Sequence, residues 1–186
     1  MKRKMVIGML TMGMVLCGAM TVSAESDGYV ISASHGYGAV EHWEIKTIGM
    51  QDAAKDLGVE FNYKYADGDL QQEVADIENF VEMGTNYIIV GPCNSEGIVP
   101  VIEEAQDKGV AVGTCDIGIE GVDVASFVSS DNYGIGEIAA DYIGTEMNGE
   151  GEIAILTWPA ASATADRAKG FKDKMEEKYE RLGKVS

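Results

Sequence analysis

The stretch Tyr87-Ile88-Ile89-Val90-Gly91-Pro92-Cys93-Asn94-Ser95 decides the fold of this chain. A run of β-formers stopped by a Gly-Pro turn reads as a short strand buried on both faces. Behind the turn, Ile98, Val101, Ile102 and Ala105 fall on one side of a helix. Pro100 is compatible with that helix only in its first turn, where its missing N–H costs nothing. Val110-Ala111-Val112-Gly113-Thr114-Cys115-Asp116 then supplies a second buried strand. Two buried strands joined by an amphipathic helix make a right-handed βαβ unit, which requires a parallel sheet.

The same alternation continues outward on both sides. Towards the N-terminus, residues 29–34 read as a strand and 40–57 as a helix stopped by Gly58. Residues 59–65 alternate as a strand. Asp69 stands three residues before Gln72, which is capping-box spacing, and opens a helix with Leu70, Val74, Ile77 and Val81 on one stripe and Gly84 as its stop. Towards the C-terminus come a strand at 125–129, an amphipathic helix marked by Ile135, Ile138, Ala139, Tyr142 and Ile143, and a strand at 152–157. A last helix runs from about Thr164 past Phe171 towards Glu180. The expected fold is α/β, a parallel doubly wound sheet with helices on both faces. In such sheets ligands bind outside the carboxyl ends of the strands.

Charge narrows the function. The 186 residues hold 31 acidic against 14 basic side chains, for a net charge of −17, so nothing here could neutralise a phosphate backbone and nucleic acid is excluded as a partner. Residues 1–24 have the anatomy of a cleaved export signal. Lys2, Arg3 and Lys4 precede an apolar run, and Val22-Ser23-Ala24 offers a small-residue cleavage site. Cys17 follows Leu16, a poor match to a lipoprotein signal, so lipid anchoring there is disfavoured. Export places the protein in the periplasm or outside the cell, an oxidising setting in which the pair Cys93 and Cys115 could bridge.

The candidate site residues lie at the predicted strand ends. The first loop, Ser34-His35-Gly36-Tyr37-Gly38-Ala39-Val40-Glu41-His42-Trp43, contains G-x-G after a strand. A dinucleotide fingerprint would need glycine where Glu41 stands, and a carboxylate there would oppose pyrophosphate. His35, Glu41, His42 and Glu44 match no strong metal spacing, so neither a metal nor a cofactor is expected. Tyr37 and Trp43 offer flat apolar faces suited to the C–H face of a sugar ring, unless Trp43 is simply a core residue of its helix. Asp116, ending a buried strand, must find donors, and sugar hydroxyls would supply them. Arg167 is expected in the first turn of the last helix, where a cation opposes the helix dipole and so calls for a partner. No nucleophile or acid pair with a base accompanies these positions, and no enzyme activity is expected.

With these residues in place, the chain resembles the ribose-binding-protein-like family of type I periplasmic sugar-binding proteins that serve ABC transporters. The resemblance runs over residues 28–172. It is carried by Gly49-Met50-Gln51-Asp52-Ala53-Ala54-Lys55-Asp56-Leu57-Gly58, by the two strands quoted first, by Ser129-Ser130-Asp131-Asn132-Tyr133 with Gly136, and by Arg167-Ala168-Lys169-Gly170-Phe171. It implies a ligand site of Ser34, His42, Trp43, Asp116 and Arg167. His42 and Trp43 fall where the family has ring-stacking aromatics, Asp116 on its hydroxyl-accepting carboxylate, and Arg167 on its ligand-donating arginine. Ile117 replaces an arginine of the ribose binders and His42 a phenylalanine, which widens the expected ligand from ribose to a monosaccharide or polyol. The implied function is hinge closure of two lobes on that ligand, read by a membrane permease. Residues 25–130 would form the first lobe, short of its returning segment, and 131–186 the truncated start of the second. The alternatives are a sugar-sensing domain of chemotactic or regulatory type, or a truncated fragment without function. A lactose-repressor-like regulator would need a DNA-binding helix pair where the export signal stands.

Overall fold

The computed structural model describes residues 28–38 and 40–179. The expected export signal at residues 1–24 and Glu180, the expected limit of the last helix, lie outside these residues. Five strands form one parallel sheet: β1 (Val30–His35), β2 (Glu60–Tyr65), β3 (Tyr87–Gly91), β4 (Ala111–Cys115) and β5 (Ser126–Val128). Their spatial order is β2-β1-β3-β4-β5, so the chain starts near the middle, winds one way to β2 and then returns to the other side. The order reverses between β1 and β3, which makes the carboxyl ends of those strands the crevice of the sheet.

Helices α1 (Glu41–Leu57), α2 (Leu70–Glu82) and α3 (Val99–Asp107) connect the first four strands. Gly58 ends α1 in the left-handed conformation at φ 68°, which a side chain would resist. Asp69 caps α2 by accepting from the Gln71 and Gln72 N–H groups. The reciprocal half of the capping box is absent, because the Gln72 amide donates to Asp76 instead. Pro100 sits in the first turn of α3, the one place where the helix tolerates it. The main core lies between these helices and the central strands: Ile77 and Phe80 of α2 and Ile102 of α3 pack on Ile88, Val90 and Val112.

The C-terminal part departs from expectation in three ways. Residues 152–157 form no strand, since among the described residues no other strand lies beside them to accept their hydrogen bonds, and Leu156 is 100% exposed. The last helix, α5 (Ser162–Lys178), begins earlier than expected, which puts Arg167 in its second turn and weakens the dipole argument for a partner. Helix α4 (Asn132–Glu146) buries Asn132, Gly136, Ala140 and Gly144, whereas Ile135, Ile138 and Tyr142 stay exposed. The reason is backbone proximity. A Cβ on Gly136 would lie 2.1 Å from the Arg167 carbonyl oxygen, and one on Gly170 would lie 2.1 Å from that of Tyr133. Small residues every fourth position let α4 and α5 meet main chain to main chain, and the larger apolar residues are left on the outer face.

Candidate functional site

The sheet crevice holds a cavity of about 280 Å³, lined by Tyr37, Trp43, Asp116, Ile117, Trp158, Ala161, Ala163, Thr164 and Arg167. Three of the five residues expected from the sequence, Trp43, Asp116 and Arg167, therefore line one space although they come from α1, the end of β4 and α5. The loop before α5 is tied down to make this happen. The Ser95 N–H donates to the Ala160 carbonyl, the Ser162 N–H donates to Ser95 Oγ, and Gly118 N–H donates to Ser162 Oγ at 2.9 Å.

Asp116 is held in an unusual backbone conformation. Its φ is 70°, and the flanking Ile117 N–H donates to the Cys115 carbonyl at 2.9 Å, closing a three-residue turn around it. That is the strained form of the γ-turn, and left-handed non-glycine residues of this kind cost about 1–3 kcal/mol and collect at ligand sites. The carboxylate Oδ2 lies 3.2 Å from Lys46 Nζ and 3.3 Å from His42 Nε2. The Lys46 ammonium also lies 2.7 Å from His42 Nε2. Lys46 is ion-paired with Asp116 Oδ2, and His42 Nε2 lies within hydrogen-bond distance of both groups, accepting from the ammonium or donating to the carboxylate according to its tautomer. Asp116 Oδ1 has no hydrogen-bond partner among the described residues.

Arg167 is oriented from behind. Its Nε donates to Asn132 Oδ1 at 2.8 Å, and the Asn132 amide nitrogen donates to the Ser130 carbonyl. The partner is an amide at the start of α4, and among the described residues no carboxylate pairs with Arg167, which lines the cavity.

The aromatic residues divide differently from expectation. Trp43 is only 4% exposed, with its ring over Gly91, 5.2 Å from the His35 ring and 6.2 Å from that of Tyr37. It is mostly a core residue that presents an edge to the cavity. Trp158 is 60% exposed and lines the same space. His42 is exposed and does not line the cavity, but it adjoins two residues that do, Asp116 at 3.3 Å and the Trp43 ring, which it meets edge-on. Ser34 is fully buried within β1 and does not line the cavity. Its hydroxyl is buried without a hydrogen-bond partner among the described residues.

Two buried groups lie beneath the site: His35, weighed in the sequence only as a metal ligand, and Glu73, which had no reading there. His35 Nε2 pairs with Thr47 Oγ1, which also bonds the Tyr65 hydroxyl and the Trp43 carbonyl, so this network fixes the indole from below. Burial, helped by the Lys46 charge, lowers the His35 pKa to about 4. Glu73 accepts the Cys93 N–H on Oε2, and Oε1 is buried without a partner. Burial pushes the Glu73 carboxyl up to about 7. The Cys93 carbonyl in turn accepts from the Tyr37 hydroxyl. Cys93 and Cys115 are both free thiols, and burial raises that of Cys93 to about 12. Among the described residues, no group of three or more potential metal ligands is gathered, and no helix is long and apolar enough to cross a membrane.

A strand order that reverses at the crevice, with a ligand-sized cavity at that point, defines an α/β substrate-binding fold. The family described as periplasmic binding protein domain matches residues 36–186, and the chain belongs to it. The ribose import binding protein of Bacillus subtilis is 31% identical over 139 residues, covering 74% of this chain and 46% of that protein. The xylitol-binding protein of Mycolicibacterium smegmatis is 26% identical over 173 residues, covering 92% of this chain and 49% of that one. Among solved structures, a carbohydrate-transporter solute-binding protein from Agrobacterium radiobacter in complex with D-arabinose superposes with a TM-score of 0.77 at 26% identity. That match covers 86% of this chain and 56% of the other. The chain spans about half the length of the curated relatives it matches. The family consists of substrate-binding proteins, not enzymes, and the type I fold expected from the sequence is the fold observed.

Proposed function

We propose that this chain forms the sugar-reading part of an exported substrate-binding protein that delivers a monosaccharide or polyol to an ABC transporter permease. The observation that carries the reading is the convergence of Asp116, Arg167 and Trp158 on one cavity of about 280 Å³ at the sheet crevice. A pyranose or furanose presents hydroxyl donors, acceptor oxygens and a flat C–H face. The three side chains offer an acceptor, a forked donor and an aromatic surface in the same space. The two-lobed organisation belongs to the same proposal. Residues 25–130 contribute the first lobe, 131–186 open the second, and hinge closure across the cavity is the signal the permease reads.

Isothermal titration of the full chain against D-ribose, D-xylose, D-arabinose, xylitol and myo-inositol tests this reading. At least one is expected to bind, and Asp116→Asn is expected to weaken it by about tenfold or more, as loss of a hydrogen bond to a charged group implies. Absence of heat and of thermal stabilisation with every sugar and polyol would refute it.

A further inference from the structure

Lys46 touches three of the groups the sequence assigned to the site, yet nothing in the sequence pattern drew attention to it. Its ammonium lies 3.2 Å from Asp116 Oδ2, 2.7 Å from His42 Nε2 and 4.1 Å from the centre of the Trp43 ring. The side chain is 20% exposed, so these contacts are made largely out of water. It reaches them because it stands one helical turn after His42, on the side of α1 that faces the end of β4.

The consequence falls on Asp116. A free carboxylate can take two neighbouring hydroxyls, one on each oxygen. Here Oδ2 is ion-paired with Lys46, with His42 Nε2 on the same side at 3.3 Å, whereas Oδ1 has no partner among the described residues. We propose that Lys46 is a specificity-determining residue of the cleft: by claiming Asp116 Oδ2 it restricts the carboxylate to one ligand hydroxyl on Oδ1. The cleft then selects ligands by a single donor at that point and tolerates loss or inversion of the neighbouring hydroxyl. This inference rests on the sugar-binding reading above.

The test takes whichever of the five compounds named above binds the full chain best and titrates its single-deoxy analogues into wild type, Lys46→Met and Lys46→Arg. In wild type, one deoxy position should weaken binding by about tenfold, and Asp116→Asn should abolish that sensitivity. In Lys46→Met, Oδ2 is released, so a second, adjacent deoxy position should become sensitive by a similar factor. Lys46→Arg, which keeps the charge, should restore the wild-type pattern. Lys46→Leu, which likewise has no donor, provides the same comparison if the Met variant does not fold. A deoxy profile in the neutral variants that matches wild type within about twofold would overturn the proposal while leaving the sugar-binding reading intact. Failure of wild type to bind any of the five would remove both.

Discussion

Glu73 and His35 are both fully buried, and burial drives each towards its neutral form. Their effects on stability run in opposite directions. Glu73 holds a proton up to about pH 7 in the folded chain, whereas the unfolded chain releases it near 4.5. Its contribution is therefore complete below pH 4.5 and is lost as pH rises through 7. Over that interval, at 1.36 kcal/mol per pH unit, the loss amounts to about 3 kcal/mol. His35 is the reverse: the unfolded chain takes up a proton below 6.5 that the folded chain refuses until about 4. Its contribution is complete above pH 6.5 and is lost on acidification through 4, again by about 3 kcal/mol. Between 4.5 and 6.5 the two slopes cancel, so wild type hides both. Glu73→Gln removes one of them and keeps an oxygen for the Cys93 N–H. The variant should match wild type near pH 4.5 and become more stable with rising pH, reaching about 3 kcal/mol at pH 8. Urea unfolding followed by tryptophan fluorescence across this range measures the difference. A difference constant within about 0.5 kcal/mol over that range would refute the reasoning, because it would mean that Glu73 is charged in the folded protein at neutral pH.

Three further outcomes follow from the site and the helix ends. Asp116→Gly should abolish sugar binding and leave unfolding free energy within about 1 kcal/mol of wild type, since relief of the left-handed strain offsets the lost Lys46 contact; titration and urea unfolding of one sample check both. Trp158→Ala should weaken binding with little change in melting temperature, whereas Trp43→Ala should destabilise by about 3–5 kcal/mol, as expected of a buried indole; equal melting temperatures for the two would contradict the assignment of Trp43 to the core. Asp69→Ala should cost about 1 kcal/mol through loss of the α2 cap, measured by the shift in urea midpoint at unchanged slope.

What the sequence made legible was what depends on local pattern. The apolar strands at 87–90 and 110–115, the Gly58 stop, the Asp69 cap and the Pro100 placement rest on periodicity and backbone preference, and they appear in the structure where those rules put them. What misled depends on partners far along the chain. Residues 152–157 have a strand's composition, but a strand exists only beside another. The large apolar residues of α4 promised the buried face, and the glycines took it because α5 approaches too closely for side chains. Trp43, Asp116 and Arg167 were visible as residue types at strand ends or in a motif, while Lys46, Asn132 and Glu73 acquire meaning only through contacts that span 70, 35 and 20 residues of sequence.

The glycine contacts between α4 and α5 have a mechanical meaning. Two helices separated by side chains can slide, because rotamers shift and re-pack. Helices touching through Gly136 and Gly170 have no such bearing between them, so they form one stiff bracket. Arg167 is mounted on one arm of that bracket, and its Nε is bolted through Asn132 to the root of the other. A pull exerted on the guanidinium is passed to the anchors of the pair: the short crossover at 129–131, on which α4 hangs from the edge of the sheet, and the Ser95 and Gly118 bonds that hold the start of α5.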